Sequence, residues 1–379
     1  MIVKSDEETI ENGRGEEMNG MSGCSPLMHL LRKCNSFFMQ GLVSAQGECR
    51  PLVVCGRQVG VVRPDVAMCL MEYPQVFTPS SGAFVLNPQL DTYGKRTSAV
   101  DLVLRDLRSK DVLRALRGWR DEAFCVWADF GHGEPLLEVE RSAVTALGIR
   151  AFGTHITGYT RSQEDGLLRI WVQKRALDKP TYPGMMDSLV GGGITAGLTP
   201  RQVMLKEAHE EAGIPESLAN TAASVGTVSF FTESERGLHA NTEFVYDLEL
   251  PPDFVPRNMD GEVDSFEAVT VEEFLARVTS AKYKLTSVPV ALDFLVRRGV
   301  VTPDTEPQYP ALMELLHLPL HHLYTTWPHP QPHPSTSALA ATPISSSSSP
   351  ASISTSTPPS SSAPSAANNL SSPLLVSEV

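Results

Sequence analysis

The sequence predicts an α/β fold: an α/β sandwich over residues 151–318, preceded by a smaller α/β domain over residues 28–150. Three observations carry this. Apolar runs after Thr154 read as strands interleaved with helices, and a separate strand–turn–strand–helix pattern precedes them. Between the later strands a glycine-rich stretch feeds a short helix with start and stop signals at both ends.

In chain order, residues 1–27 read as a flexible leader. It carries Asp6, Glu7, Glu8, Glu11, Glu16 and Glu17 and no apolar core, unlike a signal peptide or an acid-poor transit peptide. Residues 52–55 and 59–62 read as strands around a turn at Gly56, followed by the turn-like Arg63-Pro64-Asp65. Residues 101–119 read as a helix, because Leu102, Leu104, Leu107, Val112, Leu113 and Leu116 fall near a 3.6 period. This first region holds no cluster of carboxylates, histidines or glycines, which points to a structural or specificity role. Further on, residues 168–172, 224–231, 243–250 and 265–271 read as strands, and 290–296 lie in an apolar helix started by Pro289. From Pro328 the chain is mostly Ser, Pro, Ala and Thr. Too few large apolar side chains remain there to offset the entropy of ordering, so residues 328–379 are expected to be disordered.

A net charge of −13 leaves no excess of Lys and Arg to neutralise a polyanion, which argues against nucleic acid or anionic membrane as partner. No apolar run approaches the ~20 residues of a membrane span. The six cysteines, Cys24 to Cys125, show no metal-type spacing and are expected to be free thiols. A cytoplasmic protein is the expectation, with organellar import left open.

The informative stretch runs from Gly191 to Ile214. Thr199 suits an N-cap, Pro200 the first helical position, and Gln202 completes a capping box; Gly213 suits the left-handed residue that ends a helix. A glycine loop feeding a helix of about thirteen residues follows. Leu205, Ala208 and Ala212 share one face of that helix. Glu207, Glu210 and Glu211, related as i, i+3 and i+4, share another. Three carboxylates on one stripe repel one another. Either the stripe is a solvated face, or Mg²⁺ or Mn²⁺ occupies it and leaves coordination positions for phosphate. His209 faces away from the glutamates and is not counted as a ligand.

This segment resembles the Nudix box, G-x5-E-x7-R-E-U-x-E-E-x-G-U with U a bulky aliphatic. Gly192 matches the first glycine, Glu207 the glutamate after the arginine, Glu210 and Glu211 the paired glutamates, and Gly213 and Ile214 the close. Three positions depart from the pattern. Lys206 replaces the arginine and loses its planar fork, Ala208 is small for its place, and Leu198 replaces the first glutamate. Further runs at 61–65, 153–159, 179–185, 233–238 and 260–266 resemble the Nudix branch related to the domain fused to thiamine pyrophosphokinase in some fungi. That likeness extends over residues 28–318, and its members often relax the first box glutamate.

The resemblance implies a Nudix-type α/β/α sandwich and a metal-dependent hydrolase acting on a small-molecule diphosphate. Glu207, Glu210, Glu211 and the Gly192 carbonyl would hold Mg²⁺ or Mn²⁺, Lys206 would orient Glu207, and Glu262 would add a ligand or base. The substrate implied for this branch is thiamine diphosphate or its oxidised derivatives, converted to the monophosphate. An oxidised guanine nucleotide is a second substrate, and a catalytically silent binding fold, with Leu198 as its lesion, a third reading. Lys174, Arg175 and Lys179 are candidates for phosphate contact or a solvated basic turn. Glu235 and Arg236 either line the site or pair with each other. Trp171 and Tyr182 either stack on a ring or pack in the core.

Overall fold

The computed structural model describes residues 24–326, so the Ser/Pro-rich tail and most of the expected leader lie outside the described residues. The chain starts with helices α1 (Pro26–Cys34) and α2 (Ser36–Met39). Ser25 caps α1 by accepting from the Met28 amide, and Pro26 occupies the first turn, so the helix begins just inside the expected leader. Its partners are distant in sequence. Ser25 Oγ donates to Glu306 at 2.6 Å, and Asn35 donates to the Leu315 carbonyl at 2.9 Å while accepting from the Phe231 amide at 3.0 Å.

Strands β1 (Arg50–Val54), β2 (Arg57–Val62), β3 (Phe77–Ser80) and β4 (Ala83–Leu86) form a four-stranded sheet in the order β2-β1-β4-β3. Between β2 and β3 lies helix α3 (Pro64–Leu70). The Arg63-Pro64-Asp65 run is therefore a helix start and not a turn, because proline's fixed φ fits the first helical turn as well as it fits a turn. Helix α4 (Tyr93–Ser109) replaces the helix expected over 101–119. It starts at the Thr92 cap and ends at Ser109, where Asp111 takes a φ of +53°; residues Arg114–Gly118 then make a separate 3-10 turn. Leu102 and Val112 are accordingly exposed, at 69% and 50%, although both fitted the apolar period. A hairpin of β5 (Ala123–Val126) and β6 (Leu137–Glu140) and the short α5 (Ala143–Ala146) follow.

The second half builds a seven-stranded sheet from β7 (Arg150–Arg161), β8 (Leu168–Arg175), β9 (Met186–Ser188), β10 (Val190–Gly193), β11 (Ala223–Ser234), β12 (Gly237–Glu249) and β13 (Val263–Thr270). Its main path is β11-β12-β7-β8-β13, with β10 on β7 and β9 on β8; β12 and β7 are parallel and the other pairs antiparallel. Helices α6 (Pro200–Ala212) and α7 (Glu216–Ala219) supply one core with Ile156, Leu189 and Leu248. Helix α1, with α8 (Val271–Val278), α9 (Val288–Arg297), α10 (Tyr309–Leu316) and α11 (Leu320–Thr325), supplies another. Alternation along β8 sends Ile170 and Val172 to the second core and Trp171 to the first, the arrangement of an α/β/α sandwich.

The two sequence regions meet at Gly148. The Val61 amide donates to the Leu147 and Gly148 carbonyls at 3.1 Å, and the buried Tyr324 hydroxyl donates to the Gly148 carbonyl at 2.5 Å. Gly148 has a φ of +55°, and a Cβ there would lie 2.9 Å from the Val61 carbonyl carbon. Gly148→Ala is expected to destabilise the protein by more than ~1 kcal/mol, since both backbone and packing reject the methyl. Urea unfolding measures this; an unchanged midpoint would contradict the tight joint.

Candidate active site

Helix α6 forms as its local sequence dictates. Thr199 and Gln202 complete the capping box, and Gly213 ends the helix at a φ of +61°. Three of the four glycines before it do not lie in the loop expected from sequence. Gly191, Gly192 and Gly193 lie in strand β10, paired with His155, Thr154 and Gly153 of β7, and the loop is confined to 194–199. The reason for glycine there is close approach. A Cβ on Gly191 would lie 2.9 Å from the His155 ring, one on Gly192 2.6 Å from the Glu207 carboxyl carbon, and one on Gly193 2.5 Å from the Phe124 ring.

The bare strand forms the floor of a cleft of about 240 Å³ whose lining includes Gly191–193, Glu207, Glu211, Glu243 and Glu262. The helical glutamate stripe is split. Glu211 is buried, accepting from the Gly191 amide at 2.9 Å and from Gln173 at 3.4 Å. Burial, then the charges of Glu207, Asp187 and Glu262, push its carboxyl up to about 8 against the pull of that amide. Glu207 is largely buried, and burial raises its carboxyl too, opposed by Lys206. Glu210 is 41% exposed and bound to Lys206 at 2.6 Å; it is not among the residues lining the cleft. The single Lys206 ammonium reaches both Glu207, at 3.3 Å, and Glu210. His209 is exposed.

Glu262 enters from the loop before β13 and pairs with Lys179. Burial pushes its carboxyl up, but the Lys179 hydrogen bond and the charges of Lys179, Arg120 and Arg175 outweigh it and hold the group below the usual range. Arg175 and Lys179 line the cleft, whereas Lys174 is engaged with Asp264 at 2.8 Å. Glu235 and Arg236 do not pair with each other. Glu235 binds Arg114, while Arg236 donates to the Pro180 carbonyl at 2.6 Å and lines the cleft. Tyr182 lines it as well, but Trp171 packs into the core beneath α6.

Several lining residues carry no sequence signal. Arg120 and Arg141 come from the first sequence region, on either side of the β5–β6 hairpin. Glu122 ties that hairpin to the glycine loop, accepting from Arg141 at 2.7 Å and from the Thr195 hydroxyl at 2.7 Å. Asp187, 1% exposed, accepts from Lys284 at 2.8 Å and Arg175 at 3.5 Å, so one buried carboxylate fixes two cleft cations. Burial opposes that charge, but Lys284, His155 and Arg175 hold the carboxyl well below the usual range. Burial pushes both the His155 and His239 rings down, His239 to about 4. The cleft thus gathers Arg120, Arg141, Arg175, Lys179, Arg236 and Lys284 in a protein of net charge −13.

The donor chemistry fits a hard divalent cation. Among the described residues no group of three acidic, histidine or cysteine side chains converges tightly enough to hold an ion unaided. Two carboxylates, Glu207 and Glu211, in a cleft also lined by Gly192 are nonetheless a set that suits Mg²⁺ or Mn²⁺ when phosphate oxygens complete the shell.

Comparison with known proteins gives the family. Residues 155–288 match the NUDIX domain, and residues 26–151 match a domain of unknown function, DUF4743. The chain is 35% identical over 303 residues to Nudix hydrolase 24, chloroplastic, of Arabidopsis thaliana, covering 79% of this chain and 80% of the relative. To Nudix hydrolase 20, chloroplastic, of the same plant it is 33% identical over 309 residues, covering 79% of each. It is also 28% identical over 262 residues to an uncharacterized protein of Saccharomyces cerevisiae, covering 66% of this chain and 76% of that one. The chain belongs to the Nudix hydrolase family, and it is a Nudix-type hydrolase of diphosphate-containing substrates. Enzymes of this family generally use divalent ions such as Mg²⁺ or Mn²⁺. Among the described residues no helix is long and apolar enough to cross a membrane.

The Glu211 carboxyl yields a pH prediction. Its folded value lies above the ordinary one, so its stabilising contribution is complete below about 4.5 and is lost as pH rises through about 8. In metal-free protein the Tm of wild type relative to Glu211→Gln should therefore fall between pH 5 and 8.5. Parallel pH profiles for the two proteins would contradict the buried, raised carboxyl.

Proposed function

We propose that this cleft hydrolyses a diphosphate linkage with the help of a divalent ion held by Glu207, Glu211 and the Gly192 carbonyl, and that the substrate is thiamine diphosphate or an oxidised derivative, released as the monophosphate plus phosphate. The observation that carries the hydrolytic reading is the juxtaposition of the α6 glutamates with six cations in one cleft. The substrate reading rests on the resemblance of the runs at 61–65, 153–159, 179–185, 233–238 and 260–266 to the thiamine-related branch. An oxidised guanine nucleotide is the second substrate class, since it would use the same ion and the same cations.

The chemistry the ion supplies is neutralisation of the diphosphate and a lowered pKa for water. The chain's own residues do the rest. Arg175 and Lys284, held by Asp187, and Arg120 and Arg141, held on the hairpin, bind and orient the diphosphate oxygens. Fixed donors of this kind need no reorganisation as charge develops on the leaving oxygen. Glu262 stays ionised because Lys179 stabilises its charge, so it is available to accept a proton from attacking water. Glu210, tied to Lys206, holds the neighbouring Glu207 in place through that shared ammonium.

With Mg²⁺ or Mn²⁺, phosphate release from thiamine diphosphate and its oxidised forms should exceed that from oxidised guanine nucleotides. Glu207→Gln should lower turnover on the order of 10²-fold or more, the scale expected for a group supporting transition-state charge. A change of less than twofold would count against catalysis at this helix. A preference for the guanine nucleotides would leave the hydrolase standing and move the substrate.

A further inference from the structure

A second cavity, of about 430 Å³, lies against the cleft. Phe124, Val144, Ala151 and Phe152 line both. Three chain segments run from one into the other. Residues 191–193 line the cleft and residues 194, 195 and 197–200 the cavity; Gly153 and His155 of β7 face the cleft and Arg150 the cavity; Phe124 faces both and Cys125 the cavity. The characters of the two spaces differ. The cleft is charged, whereas the cavity is walled by Tyr93, Trp127, Phe130, Phe152, Ile194 and Leu198. The rings are ordered against one another, with Phe130 and Phe152 centroids 4.1 Å apart and Trp127 and Phe130 5.9 Å apart.

Leu198 is the residue that stands where the Nudix box has its first glutamate. In this structure it lines the aromatic cavity, where a carboxylate would meet mostly apolar walls, with Arg150 the one cationic side chain among the lining residues. The same substitution that departs from the box pattern therefore keeps this cavity apolar. Its polar lining residues are few: Glu138, which accepts from the Tyr93 hydroxyl, with Cys125, Arg150, Thr195 and Thr199. Apolar walls with a few convergent polar groups are what a ring system selects.

We propose that this cavity is the subsite for a planar aromatic ring at the non-phosphorylated end of the substrate, with Leu198 and Trp127 as its specificity-determining residues. The assignment rests on the reading of the neighbouring cleft as the diphosphate site. A substrate then spans the shared Phe124–Phe152 wall, its diphosphate among the cations and its ring among the aromatics. Other planar heterocycles of one or two rings fall in the same class, and an aliphatic group of equal length does not.

The test uses 2-phenylethyl diphosphate and ethyl diphosphate, which differ by the ring alone, with the full chain and Mn²⁺. Wild type is expected to prefer the phenyl compound at least tenfold in kcat/KM, mostly through KM. Leu198→Glu and Trp127→Leu should each reduce that preference at least fivefold, while Leu198→Met should keep it. A wild-type preference near unity, or one that survives both Leu198→Glu and Trp127→Leu, overturns the subsite. Binding is read separately, as quenching of tryptophan fluorescence by the phenyl compound in wild type against Trp127→Leu. Quenching that disappears in Trp127→Leu, without hydrolysis of either compound, supports the subsite and defeats the hydrolytic reading. Equal quenching by the two compounds in wild type, with hydrolysis intact, does the reverse.

Discussion

The site depends on one steric constraint: strand β10 must be bare. Three consecutive glycines let the Glu207 carboxyl, the His155 ring and the Phe124 ring lie directly on the backbone at Gly192, Gly191 and Gly193. A single methyl at any of these positions would force a buried group to move. Through Glu207 the strand is locked to helix α6, through His155 to the sheet, and through Phe124 to the β5–β6 hairpin of the first sequence region. The α6 carboxylates, the cations and the aromatic cavity are all placed relative to that strip of backbone.

Electrostatics explains how an acidic protein presents a phosphate-binding surface. Net charge is a sum over the whole chain and says nothing about where charges meet. Here six basic side chains converge on four carboxylates, Glu207, Glu211, Glu243 and Glu262. The buried Asp187 holds two of the cations, and the hairpin carboxylate Glu122 holds a third. Burying Asp187 is tolerated because its partners repay the desolvation, and a buried carboxylate stripped of those partners would be strongly destabilising.

Legibility in the sequence followed interaction range. Helix α6 was readable to the residue because its caps are local: Thr199, Pro200, Gln202 and Gly213 carry the information within the helix and its two flanking residues. Strands β1, β2, β8, β11, β12 and β13 were readable in place, though β11 and β12 extend beyond their apolar runs, whereas β3 to β7, β9 and β10 were not read. The helix expected over 101–119 was misplaced because Leu113 and Leu116, in or beside a separate 3-10 turn, kept the apolar period going across a break at Asp111. The glycines read as a loop because composition cannot tell a turn from a strand stripped for close packing. Arg120, Arg141, Asp187 and Lys284 could not be read at all, since isolated charges gain meaning from pairings made by the sheet and the hairpin. The N-terminal region looked chemically silent for the same reason.

The most direct measurement is Mn²⁺ binding to Gly192→Ala, followed by electron paramagnetic resonance, with circular dichroism to confirm that the fold is kept. Displacing Glu207 from the strand should weaken Mn²⁺ binding at least tenfold while the helical signal persists. Binding within twofold of wild type in a folded variant would show that the bare strand does not place the metal ligands, and the account of the site would fail.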